Sequence, residues 1–190
     1  MRILRSYIKL IDRMNYGVGR VIMFGIFAMM AVLLWSTISK FSDQPSLWTL
    51  EVAQFAMIAY FFLGGPYAIQ MGSHVRMDLF YENWSLRRKA ATDATMVLCL
   101  IFYLAILLWG ALSSTAYSLG HFGANPVEFF ADLARGEKSL GTLERSRTIW
   151  RPYLWPIKTI MCLGIVLMLL QALSELFKDV LRLSGEEVTR

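Results

Sequence analysis

Charge is missing from most of the length of this sequence. No Asp, Glu, Lys or Arg occurs in residues 21–39, 52–73 or 94–127, and Lys158 is the single formal charge within 153–174. The chain has 190 residues, 56% of them hydrophobic, and a mean hydropathy of +0.48. A soluble domain also carries many apolar residues, but it scatters charges among them. Here the charges are swept into a few blocks, and a charge at the centre of a lipid-spanning helix costs about 2.5–3.5 kcal/mol. That segregation excludes a water-surrounded globular core and implies helices solvated by lipid.

Chemistry-bearing residues are equally scarce. There are two cysteines, Cys99 and Cys162, both inside apolar stretches and without a CxxC partner. They read as small packing residues, which excludes a disulfide framework or a redox motif. There are two histidines. His74 ends the second charge-free stretch and His121 follows the third, and consecutive spans alternate in direction. The two therefore lie on opposite faces of a hydrocarbon layer ~30 Å thick, which rules out a shared haem or metal. No nucleophile elbow, HExxH or Walker loop is found, so no enzyme, cofactor or metal site is expected. The spans hold no Asp or Glu at mid-depth, which argues against a proton or ion relay built by this chain alone. The formal charge of +5 comes from residues that flank spans. No basic stripe interleaved with aromatics is present, so a nucleic-acid partner is excluded.

What is present predicts an all-α integral membrane protein. It has four transmembrane helices, an amphipathic N-terminal helix and a short periplasmic surface helix between transmembrane helices 3 and 4. In residues 1–20, Ile3, Leu4, Tyr7, Ile8, Ile11, Met14 and Val18 recur at helical spacing, with Arg2, Arg5, Lys9 and Arg13 between them. This is the pattern of a basic helix lying on the inner leaflet. The following apolar region is too long for a signal peptide and lacks an A-x-A-like cleavage site near 35–39, so the segment is expected to be retained. The spans are placed at 21–39, 52–73, 94–119 and 153–174, with a cytoplasmic tail at 175–190. Residues 94–119 would reach ~39 Å as a helix, so this span should tilt or project. Lys158, near one end of the last span, can snorkel.

Orientation follows from the loops. The N-terminus (Arg2, Arg5, Lys9, Arg13, Arg20), the 76–93 loop (Arg76, Arg87, Arg88, Lys89) and the tail (Lys178, Arg182, Arg190) share one side. The other side carries Lys40, then Arg135, Lys138, Arg145, Arg147 and Arg151 interspersed with Glu128, Asp132, Glu137 and Glu144. The positive-inside rule puts both termini in the cytoplasm. In the 120–151 connection, Asn125 as N-cap, Pro126 at the first helical position and Gly136 as stop predict a helix over 126–135. Phe129, Phe130 and Leu133 are expected to turn toward the membrane surface.

The spans offer packing instead of an ion path. Gly64, Ala68 and Gly72 form one small-residue row and Gly110, Ser114 and Ser118 another, allowing close helix approach in lipid. Pro66 is a candidate kink. Gln70, His74 and Asp78 fall on one face if the second span continues, with Arg76 free for a lipid phosphate or a partner carboxylate. The bland reading of that cluster is a polar helix end. Trp35, Trp48, Trp84, Trp150 and Trp155 fit headgroup anchoring. Trp109 lies too deep for the belt and is expected to pack against protein.

The order of these motifs resembles a known family. Trp48-Thr-Leu-Glu51, then Phe62-Leu-Gly64-Gly65-Pro66-Tyr67-Ala68, then Gly72-Ser-His74-Val-Arg76-Met-Asp78 is similar to the small, DctQ-like membrane subunit of TRAP (tripartite ATP-independent periplasmic) transporters. The segment from Trp155-Pro-Ile-Lys158 to Gln171-Ala-Leu-Ser174 resembles the fourth helix of longer members. The resemblance spans residues 15–183, and the 120–151 connection is longer than in compact members. It implies a scaffold in the bacterial inner membrane for a sodium-driven importer of carboxylates and related organic anions. The implied partners are a large multi-helix membrane subunit, a periplasmic substrate-binding protein and phospholipids. Glu51, His74, Arg76 and Asp78 match the family's polar positions, and Gly64, Gly65, Ala68 and Gly72 its close-packing positions. Their implied roles are fixing helix ends and docking the large subunit or a lipid. Arg145 and Arg147, in the mixed-charge connection, are expected to help dock the binding protein. A self-contained four-helix redox protein or enzyme is the alternative, and a small channel a third. The first needs titratable or metal-binding groups around one cavity, the second a hydrophilic helix face.

Overall fold

The computed structural model describes residues 2–72 and 86–183, and its helices follow the charge-free stretches. They are α1 (Arg2–Ile22), α2 (Gly25–Phe41), α3 (Thr49–Gln70), α4 (Leu86–Ser118), α5 (Pro126–Arg135) and α6 (Trp155–Leu183). Four stretches are long and apolar enough to cross a membrane: Leu4–Phe41, Thr49–Gln70, Ala91–Ser118 and Trp155–Leu181. The first covers α1 from Leu4 on and all of α2, but the backbone turns at Met23 and Phe24 and makes α2 a separate helix. Among the described residues there is no strand, only an isolated antiparallel bridge between Arg145 and Tyr153. The protein is an all-helical membrane protein with four spans.

The hub is α6, which packs along α4 and α3 and receives α1. Leu104 and Ala111 on α4 meet Ile165 and Ala172 on α6. Each pair is seven residues apart, two turns along one helix face. By contrast α2 packs chiefly on α3 and buries no residue. Its Ile26, Phe27, Met30, Leu33 and Leu34 face outward, as lipid permits and water would not. With 33 residues, α4 would extend ~50 Å at 1.5 Å per residue, well beyond the ~30 Å hydrocarbon.

What lets α3 and α6 approach is a proline answered by a glycine. Pro66 inside α3 has no N–H, which removes the bond the Phe62 carbonyl would accept four residues earlier. Gly164 of α6 lies against that carbonyl. A Cβ at residue 164 would sit 2.6 Å from the Phe62 oxygen, and one at Gly65 would sit 2.7 Å from Met168 Sδ. Gly19 is packed as tightly under Tyr67. The row read from the sequence behaves differently. A Cβ at Gly64 would touch only Ile22, at 3.8 Å, Ala68 is exposed, and Gly72 ends α3 at φ +63°. Among the described residues the close approaches between the long helices fall at Gly19, Gly65 and Gly164.

At the far end of α4, α5 folds back onto the bundle. Phe129 is 3% exposed and packs with Ala116 and Leu119, flanked by Phe130, Leu133 and Leu143. The expectation that Phe129 faces the membrane surface is corrected: the end of α4 supplies an apolar platform that buries it, Phe130 and Leu133 are half-buried against the same cluster, and Val127 is exposed. Asn125 occupies the N-cap position, but its amide donates to Glu128 Oε1 at 3.1 Å instead of capping the backbone. Gly136 closes α5 in the left-handed region at φ +76°. Lys158 does not snorkel to solvent. Its ammonium bonds Glu144 at 2.6 Å and the Ser114 carbonyl at 3.2 Å.

Gly164→Ala should push α3 from α6 and cost about 1–3 kcal/mol, the usual penalty for overpacking. Gly110→Ala, where nothing lies within 4 Å of the added carbon, should stay within about 0.5 kcal/mol. Thermal unfolding of the two variants in one detergent compares them directly.

Candidate functional site: polar clusters at the two ends of the bundle

Polar side chains gather at both ends of the bundle and leave the middle apolar. At the end shared by α1 and the C-terminal part of α6, the apolar stripe of α1 is interrupted. Ile8, Ile11 and Gly19 are buried in register with Asn15, which is 1% exposed. On α6, Gln171, Ser174, Glu175 and Lys178 follow at i, i+3, i+4 and i+7, one face of the helix. Lys178 Nζ pairs with Asp12 Oδ2 at 2.8 Å and with Glu175 Oε1 at 2.7 Å. Asp12 Oδ1 accepts from Gln171 Nε2 at 2.9 Å and from Ser174 Oγ at 3.2 Å. Tyr7 adds a bond to the Leu170 carbonyl at 3.2 Å and an edge-on contact with the Phe177 ring.

The carboxylate of Asp12 dictates which way the amides point. A carboxylate only accepts, so Gln171 must present Nε2 to it and turn Oε1 away. That oxygen then requires a donor, and Asn15 supplies Nδ2 at 2.7 Å. Asn15 Oδ1 is left buried without a partner. Gln70 of α3 is fixed likewise: its Nε2 donates to the Asp12 carbonyl at 3.1 Å, leaving Oε1 buried with no partner among the described residues. One network thus ties α1 to both α3 and α6.

At the opposite end Glu51, 4% exposed in the first turn of α3, accepts from Ser146 Oγ at 3.0 Å. Its second oxygen is buried and unpaired. Hydroxyls join α2 to α3: Thr49 Oγ1 donates to Ser36 Oγ at 3.1 Å and lies 2.9 Å from Ser46 Oγ. Lys158 pairs with Glu144, and Arg145 bonds the Tyr153 hydroxyl while lying 4.4 Å over that ring. His121 stacks on Phe129 with centroids 4.6 Å apart. Arg147 is exposed.

Of the positions singled out in the sequence, Glu51 and Gly65 are inside the fold and hold it together. Gly64 is half-buried, Ala68 is exposed, and Gly72 forms the turn after α3. Trp109 is 52% exposed on α4 and is not packed away by this chain's own helices. His74, Arg76 and Asp78 lie outside the described residues, and with them all of the expected Gln70–His74–Asp78 face but Gln70. The α1–α6 network was missed. The available signal was Asn15 within an apolar stripe, together with the periodic Gln171, Ser174 and Lys178 at a helix end.

This is a multi-pass helical membrane protein whose polar groups are confined to its ends, with apolar side chains between. Residues 29–182 match the profile of the family described as tripartite ATP-independent periplasmic transporters, DctQ component. The chain belongs to that family, as a small permease subunit of a TRAP transporter in the bacterial inner membrane. Comparisons with curated proteins and with solved structures found no match.

Removing the Asp12 carboxylate strips Gln171 and Ser174 of their acceptor and Lys178 of one counter-charge. Hydrogen bonds to charged groups contribute about 1.5–3 kcal/mol. Asp12→Ala should therefore raise amide exchange in α1 by roughly one to two orders of magnitude and leave α4 protected. Asp12→Asn, which keeps one acceptor oxygen, should fall between. Hydrogen-exchange mass spectrometry resolves the three cases.

Proposed function

We propose that this chain is the fixed membrane scaffold of an importer of organic anions, carboxylates foremost, driven by a sodium gradient. Its partners are a large multi-helix subunit that carries the substrate and ion sites and a periplasmic protein that delivers the substrate. Both termini face the cytoplasm, which makes the α5 end periplasmic.

The observation that carries this reading is where the polar groups lie. The α1–α6 network and the Glu51, Glu144 and Lys158 contacts all sit at helix ends. Moving ions through lipid requires polar or unwound structure near the midplane. Here that depth holds Leu104, Ala111 and Ile165. Family membership supplies the partner: a chain without a path serves one that has it. Glu51 and Gly65 are engaged within the subunit, whereas Ala68 and Trp109 remain exposed. In this reading the latter two contact the large subunit, with His74, Arg76 and Asp78 fixing the end of the second span against that subunit or a lipid.

Proteoliposomes should take up a carboxylate only when this chain, the large subunit and the binding protein are all present with an inward sodium gradient. The chain should also co-purify with the large subunit. Undiminished uptake without this chain would sink the scaffold assignment, and dependence on a proton gradient alone would sink the sodium assignment.

A further inference from the structure

Residues 144–154 close on themselves as a narrow hairpin. Ser146 N donates to the Pro152 carbonyl at 2.9 Å and Leu154 N to the Glu144 carbonyl at 3.2 Å, with Arg145 facing Tyr153 across the bridge. Three helix ends fix its base. Glu144 N bonds the Ser118 carbonyl at the end of α4 at 3.0 Å, and the Glu144 carboxylate pairs with Lys158 near the start of α6. Ser146 bonds Glu51 in the first turn of α3. A segment that touches α4 at residue 144 and α3 at residue 146 runs across the end of the bundle, not away from it. Its base is therefore fixed at the end of the bundle where α3, α4 and α6 meet it.

The tip has a particular chemistry. Ile149 is 79% and Trp150 45% exposed, with exposed Arg147 and Arg151 on either side. No acidic residue occurs in 145–154. Arg145 is taken up by Tyr153, whereas Arg147 and Arg151 show no ion pair among the described residues and bracket the apolar pair. Water is a poor solvent for Ile149 beside Trp150. The headgroup region suits both: an indole ring is stable there, and a guanidinium matches phosphate oxygens two at a time. Exposed Trp48 and Trp155 lie at the same end of the bundle.

We propose that the 144–154 hairpin is a lipid anchor. Arg147 and Arg151 bind phospholipid phosphates while Ile149 and Trp150 lodge at the headgroup–acyl boundary. Anionic lipid is preferred, because residues 145–154 carry Arg147 and Arg151 and no acidic residue. A lipid surface is favoured over a docked soluble protein because the hairpin's base is fixed at the ends of membrane-spanning helices, and its tip sets exposed apolar side chains between cations, the pairing that suits a headgroup–acyl boundary. The proposal does not depend on what the transporter carries.

The test uses the full chain in nanodiscs, with Cys99→Ser, Cys162→Ser and Ile149→Cys, the new thiol bearing an environment-sensitive dye. In discs containing phosphatidylglycerol, the dye should be quenched by shallow nitroxide lipids and shielded from aqueous iodide. Shielding should weaken in phosphatidylcholine alone. Each of Arg147→Glu and Arg151→Glu should lower the dye's partitioning about fivefold or more, since one basic residue at an anionic surface is worth about that factor. Iodide access equal to that of a dye at Ser139→Cys, in both lipids, would overturn the proposal. Shielding that develops only when the purified binding protein is added would overturn it too, and would make the tip a protein-docking surface. If the cysteine-free background does not fold, brominated-lipid quenching of the native chain against Trp150→Phe reads the same insertion: a difference supports it, and no difference refutes it.

Discussion

Gly164 rests against the Phe62 carbonyl, and the positions of the other helices depend on that contact. Pro66 leaves the carbonyl without its helical donor, in a region where lipid offers no replacement. Neighbouring protein must cover it, and only a residue without a side chain can come close enough. Once α6 is seated there, Met168 fills the space beside Gly65 and Tyr67 covers Gly19, which draws α1 in. The face of α6 carrying Ile165 and Ala172 is then presented to α4. A proline that would weaken an isolated helix here sets the register between two.

That register also decides which polar groups meet. With α3 and α6 fixed, Gln70 reaches the Asp12 backbone and Gln171 reaches the Asp12 side chain. A buried ion pair such as Lys178 with Asp12 is weak support for stability, because desolvation offsets most of the attraction. Its value lies in direction. The carboxylate orients Gln171, Gln171 orients Asn15, and only one placement of α1 satisfies the chain of donors. An amphipathic helix is thereby docked on α3 and α6 through named polar contacts.

Much of this was legible in the residue order, and the limits have physical causes. Charge-free stretches mark spans because lipid penalises charge wherever it sits in the hydrocarbon, so the helices could be read without knowing their neighbours. Gly136 and Pro126 mark α5 through backbone constraints that are equally local. Contacts between helices were harder. Gly64, Ala68 and Gly72 form the better small-residue row, yet the close approaches fall at Gly65 and Gly164, because Pro66 moves the demand for space to the turn around Phe62. Phe129 was assigned to the membrane surface because amphipathicity tells that a face is buried but not against what. The α1–α6 network escaped notice because its members lie about 160 residues apart in the chain, and Lys178 and Glu175 resemble an ordinary solvated tail until Asp12 is brought to them.

The distribution of rigidity bears on what the subunit can do. Both ends are crosslinked by charge-assisted contacts: Asp12 with Lys178 at one, Glu144 with Lys158 and Glu51 with Ser146 at the other. Between them the helices touch through apolar side chains and backbone that fit in one register. To slide α6 past α3 by a turn would drive a side chain into the Phe62 carbonyl and break polar contacts at both ends together. A moving element in a membrane needs two packings of similar energy; this bundle is built around one. The outward faces of α2 and α4, with Phe27, Leu34, Phe102 and Trp109 exposed, present that single packing to its surroundings. A subunit so arranged is suited to the fixed scaffold role proposed for it.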